Sequence, residues 1–219
     1  MLSNRINSLP SSATLAMAAK ARELKNQGID IIGLSLGEPD FNTPEFIKNA
    51  AIKAVEDNYN SYSPVDGYAE LKVAICEKFN RDNYLNYDPS QIVVSTGAKQ
   101  SIANVCMVLL NPGDEVLLPA PYWVSYSAIA TLAEAESTII PSSIDADFKI
   151  TPEQLEAAIT PKTKLIMFNS PNNPSGTIYS EEEYRALGAV LQKHPDIYIC
   201  LLYTSPSPRD QRGYRFPDC

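Results

Sequence analysis

The chain has 219 residues, 44% hydrophobic and 9% aromatic, which is enough apolar material for one large core or for one domain and part of another. A net charge of −8 and a pI near 4.7 argue against a nucleic-acid or anionic-membrane surface, both of which call for clustered Lys and Arg. A single histidine, His194, and four cysteines without a CxxC pair or metal-ligand spacing leave little basis for a zinc site or a Cys-His nucleophile.

No secretory-type apolar region follows Met1-Leu2-Ser3-Asn4-Arg5, and no run approaches the ~18 apolar residues of a membrane span. The expectation is a cytoplasmic protein with no metal, no membrane and no nucleic-acid partner. Cys76 and Cys106 fall on apolar helical faces and read as core residues.

In chain order, a helix is expected over residues 14–26, stopped at Gly28 by a C-terminal cap. Ile31-Ile32-Gly33-Leu34-Ser35 reads as a short extended piece and Gly37-Glu38-Pro39-Asp40 as a turn. A second helix is expected over 44–58, with Thr43 as N-cap and Pro44 at its first position.

From residue 69 the pattern alternates. A helix over 69–82, a strand over 91–95 and a helix over 99–110 lead into the turn Asn111-Pro112-Gly113-Asp114. A strand over 115–118, a helix over 123–133, a strand over 137–141 and a helix over 152–159 follow. The last elements are a strand over 164–169, a helix over 180–193 and a strand over 197–200. Glu181-Glu182-Glu183 fit the positive end of the helix dipole. Strands alternating with helices of this length predict an α/β fold with a mostly parallel, doubly wound sheet. Residues 201–219, LLYTSPSPRDQRGYRFPDC, hold three Pro and three Arg with no apolar period. They read as a non-native or disordered tail, similar to translated adaptor sequence; an ordinary flexible tail is the alternative.

Three stretches carry chemistry. In Val93-Val94-Ser95-Thr96-Gly97-Ala98-Lys99-Gln100 an apolar strand turns directly into a helix, aiming free N–H groups and the helix dipole at one spot that suits a phosphate. It is neither GxxxxGK[ST] nor GxGxxG, which weakens nucleoside-triphosphate and dinucleotide readings. In Pro119-Ala120-Pro121-Tyr122-Trp123 two prolines stiffen a strand exit and present the only Trp, which either stacks on a flat ring or packs in the core. In Asn169-Ser170-Pro171-Asn172-Asn173-Pro174-Ser175-Gly176 the prolines and glycine hold an Asn amide toward a ligand oxygen, or form an ordinary Asn-Pro turn. All three follow predicted parallel strands at their C-terminal ends, where open α/β sheets bind ligands. Together they describe a site for a flat, phosphorylated ring.

These stretches, with Ser35-Leu36-Gly37-Glu38-Pro39-Asp40-Phe41 and Tyr62-Ser63-Pro64-Val65-Asp66-Gly67, resemble the successive signatures of class I aminotransferases of the bacterial aspartate-aminotransferase branch. The resemblance runs over about residues 1–200 and stops before the tail. It implies pyridoxal 5′-phosphate as cofactor, amino acid and 2-oxo acid as substrates, and a homodimeric full-length parent. It also implies an arm and small-domain segment over 1–45, a partial cofactor-binding large domain over 46–200, and the tail over 201–219. Gly97, Ala98 and Lys99 would cradle the cofactor phosphate, mainly through backbone N–H. Trp123 would lie over the pyridine ring and touch the substrate, and Asn173 would bond the ring's phenolic oxygen and help place the substrate carboxylate. Gly37 would offer a backbone N–H to that carboxylate, and Tyr62 would reach the phosphate of the other subunit.

The same resemblance marks what is missing. In the family, an acid that partners the pyridine nitrogen follows the strand corresponding to 197–200, where this chain has Leu201-Leu202-Tyr203. The lysine that forms the Schiff base and moves the proton lies farther on, as does the arginine that grips the α-carboxylate. None of the eleven lysines is in a position to substitute, so the chain reads as an N-terminal fragment without a catalytic residue and inactive by itself. Alternatives are another enzyme of the same fold, a C–S lyase or an aminocyclopropane-carboxylate synthase, and a non-enzymatic α/β binding module.

Overall fold

The computed structural model describes residues 2–9, 13–33 and 41–203. These fall into two compact units, one within residues 10–68 and one formed by residues up to 9 with those from 69 onward. The turn at 37–40 and the tail from 204 lie outside the described residues.

The short helix α1 (Asn4–Asn7) is capped by Ser3, whose hydroxyl accepts from the Ile6 N–H. In the 10–68 unit, α2 (Ala13–Asn26) ends as expected. Gly28 has φ of 79°, and the Ile29 N–H reaches back to Leu24 O at 3.1 Å, which closes the last turn. The helix α3 (Glu45–Glu56) starts differently from expectation. Pro44, with extended φ/ψ of −54° and 143°, is itself the N-cap, and no side chain caps the helix. Its carbonyl accepts from Ile47 and Lys48, so Thr43 stands one residue too early to serve as cap.

The second unit holds α4 (Ala69–Asn83), α5 (Ala98–Leu109), β1 (Glu115–Pro119), α6 (Ser125–Leu132), β2 (Glu136–Ile140), α7 (Pro152–Ala158), β3 (Thr163–Ser170), α8 (Glu181–Leu191) and β4 (Tyr198–Tyr203). The strands pair in the order β2-β1-β3-β4, all parallel. Alternate side chains of each strand face opposite sides, and both sides are covered. Val116, Leu118, Leu165 and Met167 pack with α5 and α6 residues such as Ile102, Cys106, Tyr126 and Ile129. Leu117, Ile166 and Phe168 pack on the other side with Leu155 of α7 and Leu187, Val190 and Leu191 of α8. The sheet is therefore doubly wound, and burying each such aliphatic side chain contributes about 1.5–3 kcal/mol.

Local signals set the helix starts. Thr151 and Gln154 form a reciprocal capping box at α7, and Ser180 and Glu183 form one at α8, where Glu181, Glu182 and Glu183 occupy the first turn. Cys106 is fully buried as expected, whereas Cys76 is only half-buried.

Two strand expectations also fail. Residues 92–95, which open on an extended Ile92, form no strand, because no neighbour among the described residues supplies a ladder, and Gln91 closes a short 3-10 turn, Pro89–Gln91. The last strand also runs past residue 200. Leu201, Leu202 and Tyr203 continue the parallel ladder against Phe168, Asn169 and Ser170. Among the described residues no helix is long and apolar enough to cross a membrane.

Candidate functional site

β1 and β3 are neighbours, yet the chain leaves their carboxyl ends toward opposite faces, β1 to α6 and β3 to α8. Such a switch point opens a crevice beyond the strand ends, where doubly wound sheets bind ligands. The Trp123 loop leaves β1 there and the Asn173 loop leaves β3.

The Trp123 loop is held from several sides. The Ala120 N–H donates to Ile140 O at 2.9 Å, the Ser142 hydroxyl donates to Ala120 O, and the Asn172 amide donates to Pro121 O at 3.0 Å. Trp123 itself is half-buried and precedes α6. The ring of Tyr126, one turn on and almost fully buried, stands edge-on to the indole at 5.7 Å and 84°. The lone Trp thus belongs to a loop and packs on the core through Tyr126.

After β3, the buried Asn169 amide donates to Pro171 O at 3.4 Å and its Oδ1 accepts from Asn172. The Gly176 N–H returns to Asn172 O at 2.8 Å, closing a tight turn that carries Asn173 on its exposed side. The Asn173 amide makes no hydrogen bond to any described residue, which leaves it available to a ligand.

At the start of α5, Gly97 is the N-cap with φ of 90°, a conformation that favours glycine. A Cβ there would meet open space, so the backbone torsion alone requires the glycine. The Gln100 side chain turns back onto the Thr96 N–H, while the Ala98 and Lys99 N–H groups find no acceptor among the described residues. The Lys99 Nζ lies 5.0 Å from the centre of the Trp123 ring. The phosphate-type cradle, the aromatic plate and the amide loop are therefore linked in one unit, cradle to plate through Lys99 and plate to amide loop through Asn172.

Of the other expected site residues, Tyr62 is fully exposed in the 10–68 unit, and Gly37 lies outside the described residues. Asn172 and Asn169 were not singled out from the sequence. The adjacent prolines signalled a fixed loop, but not which of its amides turns inward.

The buried thiols offer no rival chemistry. Burial, with a smaller contribution from Cys200, pushes the Cys106 thiol up to about 11, and burial raises Cys200 as well. Both are protonated at neutral pH and poor nucleophiles.

The donor set suits a phosphorylated aromatic ring: two free N–H groups at a helix start, a nearby ammonium, an indole face and a free amide. Comparison with known proteins points the same way. The aspartate/prephenate aminotransferase of Nitrosomonas europaea is 52% identical over 198 residues, covering 90% of this chain and 50% of that protein. The crystal structure of the aspartate aminotransferase from Rhizobium meliloti superposes with a TM-score of 0.88 at 45% identity, over 92% of this chain and 50% of that one. The Thermus thermophilus aspartate aminotransferase with maleate gives a TM-score of 0.89 at 40% identity, over 93% and 53%. The chain spans about half the length of the relatives it matches. The aminotransferase class I and II family model matches residues 29–201, most of the chain and all three loops of the crevice, so the chain belongs to that family.

Proposed function

We propose that this chain supplies the cofactor-binding part of a transaminase site that exchanges an amino group between an amino acid and a 2-oxo acid. Aminotransferases of this class use pyridoxal 5′-phosphate. When bound, that group supplies an electron-withdrawing ring beside which the α-hydrogen of an amino acid becomes acidic. The observation that carries the reading is the joining of cradle, plate and amide at the β1/β3 switch point.

In this reading the Ala98 and Lys99 N–H groups, presented by the turn at Gly97, hold the phosphate. Trp123 stacks on the ring and excludes water from one face, and Asn173 donates to the ring's phenolic oxygen and orients the substrate carboxylate. Gly37 adds a backbone N–H for that carboxylate, and Tyr62 serves the phosphate of a partner subunit in a cytoplasmic homodimer. The relatives' names and the maleate of the Thermus thermophilus structure support a dicarboxylic substrate, aspartate with a 2-oxo acid such as prephenate, and the family resemblance adds glutamate with its own 2-oxo acid. Residues 1–45 contribute to a small domain and 46–200 to a large one.

The test is equilibrium dialysis of the chain with pyridoxal 5′-phosphate, with inorganic phosphate as competitor and Asn173→Ala and Trp123→Ala for comparison. Phosphate-competed binding weakened by both variants supports the reading. Binding indifferent to phosphate and to both variants would refute it.

A further inference from the structure

The side chain of Asn172 reaches from the loop after β3 to the loop after β1. Its Nδ2 donates to Pro121 O at 3.0 Å and to Asn169 Oδ1 at 3.2 Å. Its Oδ1 accepts from the Ser175 N–H at 3.1 Å and from the Ser175 hydroxyl at 2.9 Å. Two donors and two acceptors are the whole capacity of one amide. Its orientation follows from chemistry, because Pro121 O only accepts and the Ser175 N–H only donates, so a flipped amide would oppose both.

The two halves of the amide do different things. The Oδ1 contacts span three residues and are ordinary Asx-turn chemistry, which shapes the loop around Asn173 and Pro174. The Nδ2 contact to Pro121 spans 51 residues and serves no local turn. It grips the backbone two residues before Trp123, on a stretch whose other restraints, Ala120 N–H to Ile140 O and Ser142 to Ala120 O, lie one residue farther from the indole. Asn173, next in the chain, faces outward with its amide free.

We propose that Asn172 is a positioning residue: its amide locks the Trp123 loop to the turn that presents Asn173, so that the plate and the amide face a bound ring as one rigid pair. The importance of that pair for a cofactor ring rests on the transaminase reading; the coupling of the two loops does not. Asn172 touches no reacting atom in this account, and its influence passes through Trp123 and Asn173.

Trp123 is the only tryptophan, so its emission reports the plate directly. Asn172→Asp keeps the size and the acceptor for Ser175 but replaces the donor to Pro121 and Asn169 by an oxygen. Ser175→Ala removes the hydroxyl bond to Oδ1 and the acceptor for the Thr177 N–H, and leaves the donor to Pro121 intact. In the 219-residue chain without ligand, Asn172→Asp is expected to shift Trp123 emission to the red and to raise its acrylamide quenching about twofold, while Ser175→Ala leaves both near wild type. Far-UV circular dichroism checks that each variant is folded. If Asn172→Asp does not fold, the unaltered chain still decides by NMR: the Asn172 side-chain amide protons should exchange slowly and show proximity to Pro121.

An unchanged indole in Asn172→Asp, an equal change in both variants, or fast-exchanging Asn172 amide protons with no proximity to Pro121 would overturn the proposal. A chain that shows the coupling but fails to bind pyridoxal 5′-phosphate in a separate titration would count against the transaminase reading and leave the coupling standing.

Discussion

The two sides of the site are built on different foundations. β1 and β3 are central strands, paired on both edges and covered on both faces, and the Trp123 and Asn173 loops grow from their ends. The cradle grows from residues 92–95, which find no ladder among the described residues and in which Val93 is 66% exposed and Ile92 is the buried anchor. Both sides offer hydrogen-bond donors to a ligand, yet only one is preorganised by the sheet. Affinity is gained where donors need no ordering, so the plate and amide should contribute from the start, while the cradle must be ordered as the phosphate arrives.

The largest expected effect breaks the rigid side. Leu165 lies fully buried in β3, and Leu165→Ala should cost about 2–5 kcal/mol of unfolding free energy through lost contacts and a residual cavity. Chemical denaturation measures it, and a loss below the bottom of that range would mean that the sheet is looser than its burial indicates.

Gly97→Ala strikes the loose side. The new methyl group meets open space, so only the backbone torsion, φ of 90° with ψ of 162°, resists, by about 1–3 kcal/mol. The melting temperature should fall modestly, whereas pyridoxal phosphate affinity should fall by more, since the cradle must leave its φ of 90°. Equal losses in both would show that the cradle is as firmly built as the sheet.

Away from both, the start of α8 gives a pH signature. Burial raises the Glu183 carboxyl, but the Ser180 N–H and the Lys149 ammonium, 3.0 Å away, outweigh it and hold its pKa below the ordinary glutamate value. A depressed carboxyl contributes stability that is complete above its unfolded pKa and is lost as pH falls through the folded one. Glu183→Gln keeps a capping-box acceptor but loses the ion pair, which at 40% exposure is screened by solvent, so it should cost at most about 1 kcal/mol at neutral pH, and the difference should vanish in acid. A difference that persists unchanged at low pH would assign the effect to packing.

The smallest effect tests the bridge between the two sides. Lys99→Met removes the ammonium over Trp123 at a cost of about 0.5–1 kcal/mol, and Lys99→Arg should retain most of it. Tryptophan emission should change in the first and far less in the second. An identical response would mean that Lys99 does not hold the plate.

The sequence was informative where residue type alone sets the outcome. The turn at Asn111-Pro112-Gly113-Asp114, the acids Glu181-Glu182-Glu183 in the first turn of α8, and the apolar runs of β1 and β3 all give elements at the expected places. It misled where pairing or position decides. Residues 92–95 carry a strand's apolar pattern, but a pattern records a preference and a ladder needs a neighbour. Thr43 is a good capping type placed one residue early, and β4 runs to Tyr203 because β3 offers it partners through Ser170. In the Asn172-Asn173 pair the spacing places both residues in one loop. Only the fold shows that the first turns inward to Pro121 and the second faces out.

Hydrogen exchange of the 219-residue chain with and without pyridoxal 5′-phosphate tests the central claim most directly. Without it, amides of β1 and β3 should be protected and those of residues 93–99 should exchange fast. With it, protection should appear at Ala98 and Lys99 and leave the β1 and β3 amides unchanged. A cradle already as protected as the strands, or one that gains nothing from the ligand, would contradict the account.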